Sequence, residues 1–126
     1  MAVPILKQGH LLIATLQATL TDKDWLDFQA ELTRLVGVHR STGVILDVTV
    51  LDVLDSFATK SLRNIAEMVK LRGARSVVVG IHPDVAFTMV QLGLTLHGIE
   101  TGIDLEDGLA LLSKGITSDT NSYGRN

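Results

Sequence analysis

The chain contains no cysteine, and that absence removes disulfides, thiolate metal ligands and cysteine nucleophiles together, in keeping with a reducing compartment. Aromatic side chains are scarce: one Trp, one Tyr and three Phe. Eleven Lys and Arg stand against fourteen Asp and Glu, a formal net charge of −3. A nucleic-acid surface needs clustered cations, with aromatics where single strands are stacked, so no nucleic-acid partner is expected. No apolar run approaches the ~20 residues that cross a bilayer, and no basic amphipathic stretch suits a membrane surface. Met1 to Lys7 holds no basic segment leading into a long apolar one, so no signal peptide is read and a cytoplasmic chain is expected.

Aliphatic residues are plentiful. The chain is 46% hydrophobic with a mean hydropathy of +0.32, and its 126 residues suit one domain that buries a core without metal or disulfide support. The surplus points to a buried sheet and an oligomer interface.

Val3–Leu6 and His10–Ala14 read as an antiparallel pair around Lys7-Gln8-Gly9, where the glycine supplies the positive φ of a tight turn. Pro4 lacks an N–H donor and suits an edge. Thr21 or Asp22 caps a helix with Trp25, Phe28, Leu32, Leu35 and Val36 at helical spacing, expected to end near Gly37. Val44 to Val48 is apolar on both faces, as a parallel strand covered from two sides should be. The helix that follows opens at Asp55-Ser56, turns Ala58, Leu62, Ile65 and Val69 inward, and closes at Gly73.

Ser76 to Gly80 is a second buried strand, and His82-Pro83-Asp84 opens a helix that Gly93 ends. Ile99 to Gly102 reads as a short strand. Asp104 then caps a last helix with Leu105, Leu109 and Leu112 inward and Gly115 as its stop. The Ser-, Thr- and Asn-rich stretch 115–126 is expected to be a mobile tail, leaving 3–114 as the domain. The order β-β-α-β-α-β-α-β-α requires crossover connections. It predicts an α/β fold: a mainly parallel central sheet with an N-terminal β-hairpin and four helices.

Functional interest falls on the junction where Gly43-Val44-Ile45-Leu46 gives way to acidic residues and then to a helix. Strand ends of this kind are where open α/β sheets place ligand and modification chemistry. Two readings of Ser56 stand side by side. As the N-cap, its hydroxyl accepts an amide from Ala58 or Thr59. If Asp55 is the cap, Ser56 occupies the first helical position with its hydroxyl outward, open to a kinase. A phosphate there would be attracted by free helix N–H groups and repelled by Asp52 and Asp55, with Lys60 and Arg63 as counter-charges and Thr59 as a second nearby hydroxyl.

Other chemistry fits less well. Asp47, Asp52 and Asp55 suggest a Mg²⁺ cluster or a receiver-type phosphoacceptor, but Thr15-Leu16-Gln17-Ala18 supplies no acidic pair after the second strand and no Lys follows Val79. His10, His39, His82 and His97 show no metal-binding spacing, with His10 read as a strand residue and His82 at a helix start. Gly93 to Gly98 has the Walker spacing, yet Ile99-Glu100 stands where Lys and Ser or Thr belong. No metal, no cofactor and no catalysis of its own are expected.

The hairpin, the element order and Asp55-Ser56-Phe57-Ala58-Thr59-Lys60 resemble the STAS domain of anti-sigma-factor antagonists. Leu71-Arg72-Gly73-Ala74-Arg75, Gly80-Ile81-His82-Pro83, Leu92-Gly93-Leu94 and Ile99-Glu100-Thr101 narrow the resemblance to the RsbS-type, single-domain scaffolds of the bacterial stressosome. No sensory domain stands before the hairpin, so the chain is expected to differ from RsbR-type partners. The resemblance implies that an RsbT-type serine kinase phosphorylates Ser56 and that an RsbX-type phosphatase reverses it. It also implies a homodimer that joins RsbR-type paralogues in a large pseudo-icosahedral assembly and holds the kinase until phosphorylation frees it. Asp52, Asp55, Phe57, Thr59, Lys60 and Arg63 are the expected docking and switch surface. The alternative is a nucleotide- or small-ligand-binding STAS module using the same strand ends.

Overall fold

Strands β1 (Ile5–Gln8), β2 (Leu11–Thr15), β3 (Gly43–Asp47), β4 (Arg75–Val79) and β5 (Glu100–Gly102) lie in one sheet in that spatial order. The computed structural model describes residues 3–17 and 20–113. β1 runs antiparallel to β2, and every later neighbour is parallel. Helices α1 (Asp22–His39), α2 (Ser56–Leu71) and α3 (Pro83–Gln91) make the three crossovers between parallel neighbours, and α4 (105–113) follows β5. The expected mainly parallel α/β sheet with an N-terminal hairpin and four helices is the observed one.

Alternation along the central strands divides two apolar layers. Leu12, Ala14, Val44, Leu46 and Val78 meet Trp25, Phe28, Leu32 and Val36 of α1, Leu62, Ile65 and Val69 of α2, and Val85 and Met89 of α3. Ile13, Ile45, Val77 and Val79 face the other way, onto Leu109, Leu111 and Leu112 of α4. Both faces of each central strand are therefore buried, the condition under which a strand reads as an unbroken apolar run. Gly108 and Gly43 let α4 lie close. A Cβ on Gly108 would stand 2.8 Å from Val79 Cγ1, and one on Gly43 2.9 Å from Leu112 Cδ1.

Local chemistry sets the element ends. Thr21 Oγ1 accepts the Asp24 amide at 3.0 Å while the Asp24 carboxylate accepts the Thr21 amide at 3.0 Å, so Thr21 is the cap of α1 in a reciprocal box. α2 and α3 stop at Gly73 (φ +87°) and Gly93 (φ +70°). In each case the next two amides turn back onto the helix: Gly73 to Lys70 and Ala74 to Val69, Gly93 to Val90 and Leu94 to Met89.

Two boundaries and one helix facing differ from expectation. The hairpin turns on Gly9-His10, with Gln8 paired to Leu11, so both strands begin later than expected and His10 is a turn residue. α1 continues through Gly37, which is a contact point and not a stop: a Cβ there would collide with the Arg72 guanidinium. The helix ends instead with Arg40 in the left-handed region (φ 50°) and Ser41 N donating to Val36 O at 3.1 Å. In α4, Leu105 is exposed and not inward, and the close approach to Val79 and Ile45 falls at Gly108, three residues further on. Gly115 and the expected tail lie outside the described residues.

Candidate functional site

The connection from β3 to α2 is tied down along its length. Asp47 Oδ1 accepts both the amide (3.0 Å) and the hydroxyl (2.6 Å) of Thr49. Val48 N donates to Val79 O at 3.0 Å and Leu51 N to Val48 O at 2.9 Å, while Leu51 and Leu54 sink into the core. Across from it, Gly80 adopts φ +84°, and a Cβ there would meet both the side chain and the backbone of Thr49. The His82 ring, at the cap of α3, bonds the Thr49 carbonyl through Nε2.

With Leu54 buried, the next residue takes the extended conformation of a cap. Asp55 has φ −78° and ψ −175°, and its Oδ1 accepts the Ala58 amide at 2.8 Å. Ser56 is therefore not the cap. It is the first residue of α2, and it is exposed. Of the two readings open in the sequence, the geometry is the one that leaves the hydroxyl in solvent.

The residues expected beside it separate by helix face. Asp52, Asp55 and Lys60 are exposed; Phe57 and Arg63 are half-buried, Phe57 against the core. Arg63 Nη1 donates to Thr95 O at 2.8 Å, so that guanidinium braces the segment after α3. Thr59 does not belong to this surface. It is 0% exposed, and its Oγ1 has no hydrogen-bond partner, because the α2 register carries it inward beside Ala58 and Leu62.

The three aspartates do not converge. The Asp47 carboxylate is occupied by Thr49 and that of Asp55 by Ala58, and among the described residues no group of three His, Cys, Asp or Glu is arranged to hold a metal ion. His39 ends α1 and His97 is exposed in the connection to β5. No helix among the described residues is long and apolar enough to cross a membrane.

One feature of the site has no local sequence signature. A groove of about 290 Å³ runs between the N-terminal ends of α1 and α2, with Trp25, Leu51 and Ala58 at its base and Val50, Asp52, Val53 and Asp55 around it. Its parts come from segments some thirty positions apart, and only the packing of the two helix starts unites them. On α1, Asp27 holds Lys23 and raises its pKa, and Arg34 holds Glu31 and lowers its pKa. Asp52 and Asp55 have no such ion pair among the described residues.

The STAS domain family model matches residues 2–103. The chain belongs to the STAS domain family. A serine-to-glutamate variant of RsbS from Moorella thermoacetica superposes with a TM-score of 0.80 at 33% identity, over 91% of this chain and 97% of that one. At that identity and coverage the chain groups, within the family, with RsbS. A chain of the structure described as the molecular architecture of the stressosome, a signal integration and transduction hub, gives a TM-score of 0.76 at 32% identity, over 90% and 98% of the two chains. The RsbT co-antagonist protein RsbRA of Bacillus subtilis (strain 168) is 35% identical over 71 residues, 56% of this chain and 26% of that protein. The chain thus spans about a quarter of the length of that curated relative.

Proposed function

We propose that this chain is a regulatory scaffold of a stress-signalling complex, an anti-sigma-factor antagonist that holds an RsbT-type serine kinase together with RsbR-type paralogues and releases it when Ser56 is phosphorylated. The observation that carries this reading is the hydroxyl of Ser56, exposed at the first position of α2 because Asp55 has taken the cap. The likeness to RsbS and to a stressosome chain supports the assembly, and the name of RsbRA marks it as a co-antagonist of RsbT. In this reading the chain is a cytoplasmic homodimer within a pseudo-icosahedral particle. It performs no chemistry itself, and an RsbX-type phosphatase resets it.

A phosphate on Ser56 adds about −1.5 to −2 charges. Free amides at the helix start attract it while Asp52 and Asp55 repel it, so the outer charge of the surface changes more than the stability of the helix. Incubation with the cognate kinase and ATP, followed by mass-spectrometric mapping, is expected to place one phosphate on Ser56 and none on Ser56→Ala. Uptake at another residue, or Ser56→Ala accepting phosphate like the parent, defeats the proposal.

A further inference from the structure

We infer that the groove between the starts of α1 and α2 is the seat of an arginine side chain from the protein partner. Two observations fix that chemistry. The apolar part is incompletely covered: Val50 is 56% and Val53 71% exposed, beside buried Trp25, Leu51 and Ala58. The polar part has one sign, Asp52 and Asp55, with no Lys, Arg or His among the described residues that line the groove. One oxygen of Asp55 is used by the Ala58 amide, and neither carboxylate has an ion pair among the described residues. An occupant must therefore bring an apolar stem and a positive head.

Arginine meets both needs better than other side chains. Its three methylenes lie along Val50 and Val53 while the guanidinium reaches the carboxylates. The planar fork matches carboxylate geometry and is more weakly hydrated than an ammonium. A volume of about 290 Å³ holds one such side chain. The inference deepens the proposed docking surface by naming what docks, and rests on that reading only in assigning the arginine to the protein partner.

The test uses the full ¹⁵N-labelled chain, titrated with N-acetyl-arginine amide and followed by amide and indole NMR shifts. N-acetyl-citrulline amide gives nearly the same shape without charge, and N-acetyl-leucine amide gives the apolar part alone. Expected are shifts at Trp25, Val53 and Ala58, with the arginine compound binding about threefold or more tightly than either reference. That preference is expected to shrink with added salt and to vanish in Asp52→Asn/Asp55→Asn, where asparagine still caps α2. Equal binding of citrulline or leucine, shifts elsewhere, no binding, or an unchanged preference in the double variant overturns the inference. Phosphate mapping is a separate measurement: a chain that binds arginine here but takes no phosphate on Ser56 refutes the proposed function and leaves the groove assignment standing.

Discussion

Arg75 on β4 holds Glu100 on β5 by two nitrogens, Nε to Oε2 at 3.0 Å and Nη2 to Oε1 at 2.6 Å, and the same guanidinium reaches the Leu111 and Leu112 carbonyls at 3.4 and 3.5 Å. One side chain thus ties the three-residue edge strand and the Leu111-Leu112 stretch of α4 to the centre of the sheet. The side chains are 36% and 41% exposed, so solvent screening keeps the pair modest. Glu100→Gln is expected to cost about 0.5–1 kcal/mol. Arg75→Ala, which also strips a donor from the Leu111 and Leu112 carbonyls, is expected to cost about 1–2 kcal/mol. Arg75→Lys should fail to restore the two-pronged geometry. Urea unfolding of the three variants checks the order.

Asp55 and Ser56 should separate stability from signalling. Asp55→Ala removes the cap and is expected to cost about 1 kcal/mol, with Asp55→Asn close to neutral. Ser56→Ala should leave the unfolding midpoint nearly unchanged, since its hydroxyl holds nothing in place, while abolishing phosphate uptake. A large loss of stability in Ser56→Ala would contradict the assignment of the cap.

The buried Thr59 hydroxyl is the reverse case. An unpartnered hydroxyl in an apolar site costs free energy that an isosteric methyl does not, so Thr59→Val is expected to raise stability by about 1 kcal/mol. Thermal unfolding measures it, and a destabilised variant would show that the hydroxyl has a partner after all.

Arg40 sits where the backbone favours glycine. Its φ of 50° carries a Cβ penalty of roughly 1–2 kcal/mol; the greater freedom of glycine in the unfolded chain offsets part of the gain. Arg40→Gly is expected to stabilise by about 0.5–1 kcal/mol in denaturant titration. No change or a loss would mean that the arginine side chain contributes contacts of its own.

Much of this was legible in the residues. Gly73 and Gly93 stop their helices because those turns need a positive φ, and the Asp55-Ser56 junction stands out because an apolar run ends there in a residue that can cap. Gly37 misled, since glycine also serves where two elements touch, and nothing local announces Arg72 as its neighbour. The burial of Thr59 follows from the α2 register, three positions before inward Leu62, but a polar hydroxyl next to a candidate site draws the eye outward. The groove was invisible because no short-range pattern tells Trp25 that it will lie beside Val53.

The many ties on the β3–α2 connection, from Val48 on Val79 to Thr49 wedged against Gly80, make it a pedestal and not a hinge. A phosphoryl group mounted on so firm a base would be displayed without loosening what carries it, and the message would pass to a neighbour as altered electrostatics alone. Melting points of the modified and unmodified forms should then agree within about 4 °C, the displacement that ~1 kcal/mol gives a domain of this size. A wider gap in differential scanning calorimetry would mean that the pedestal yields.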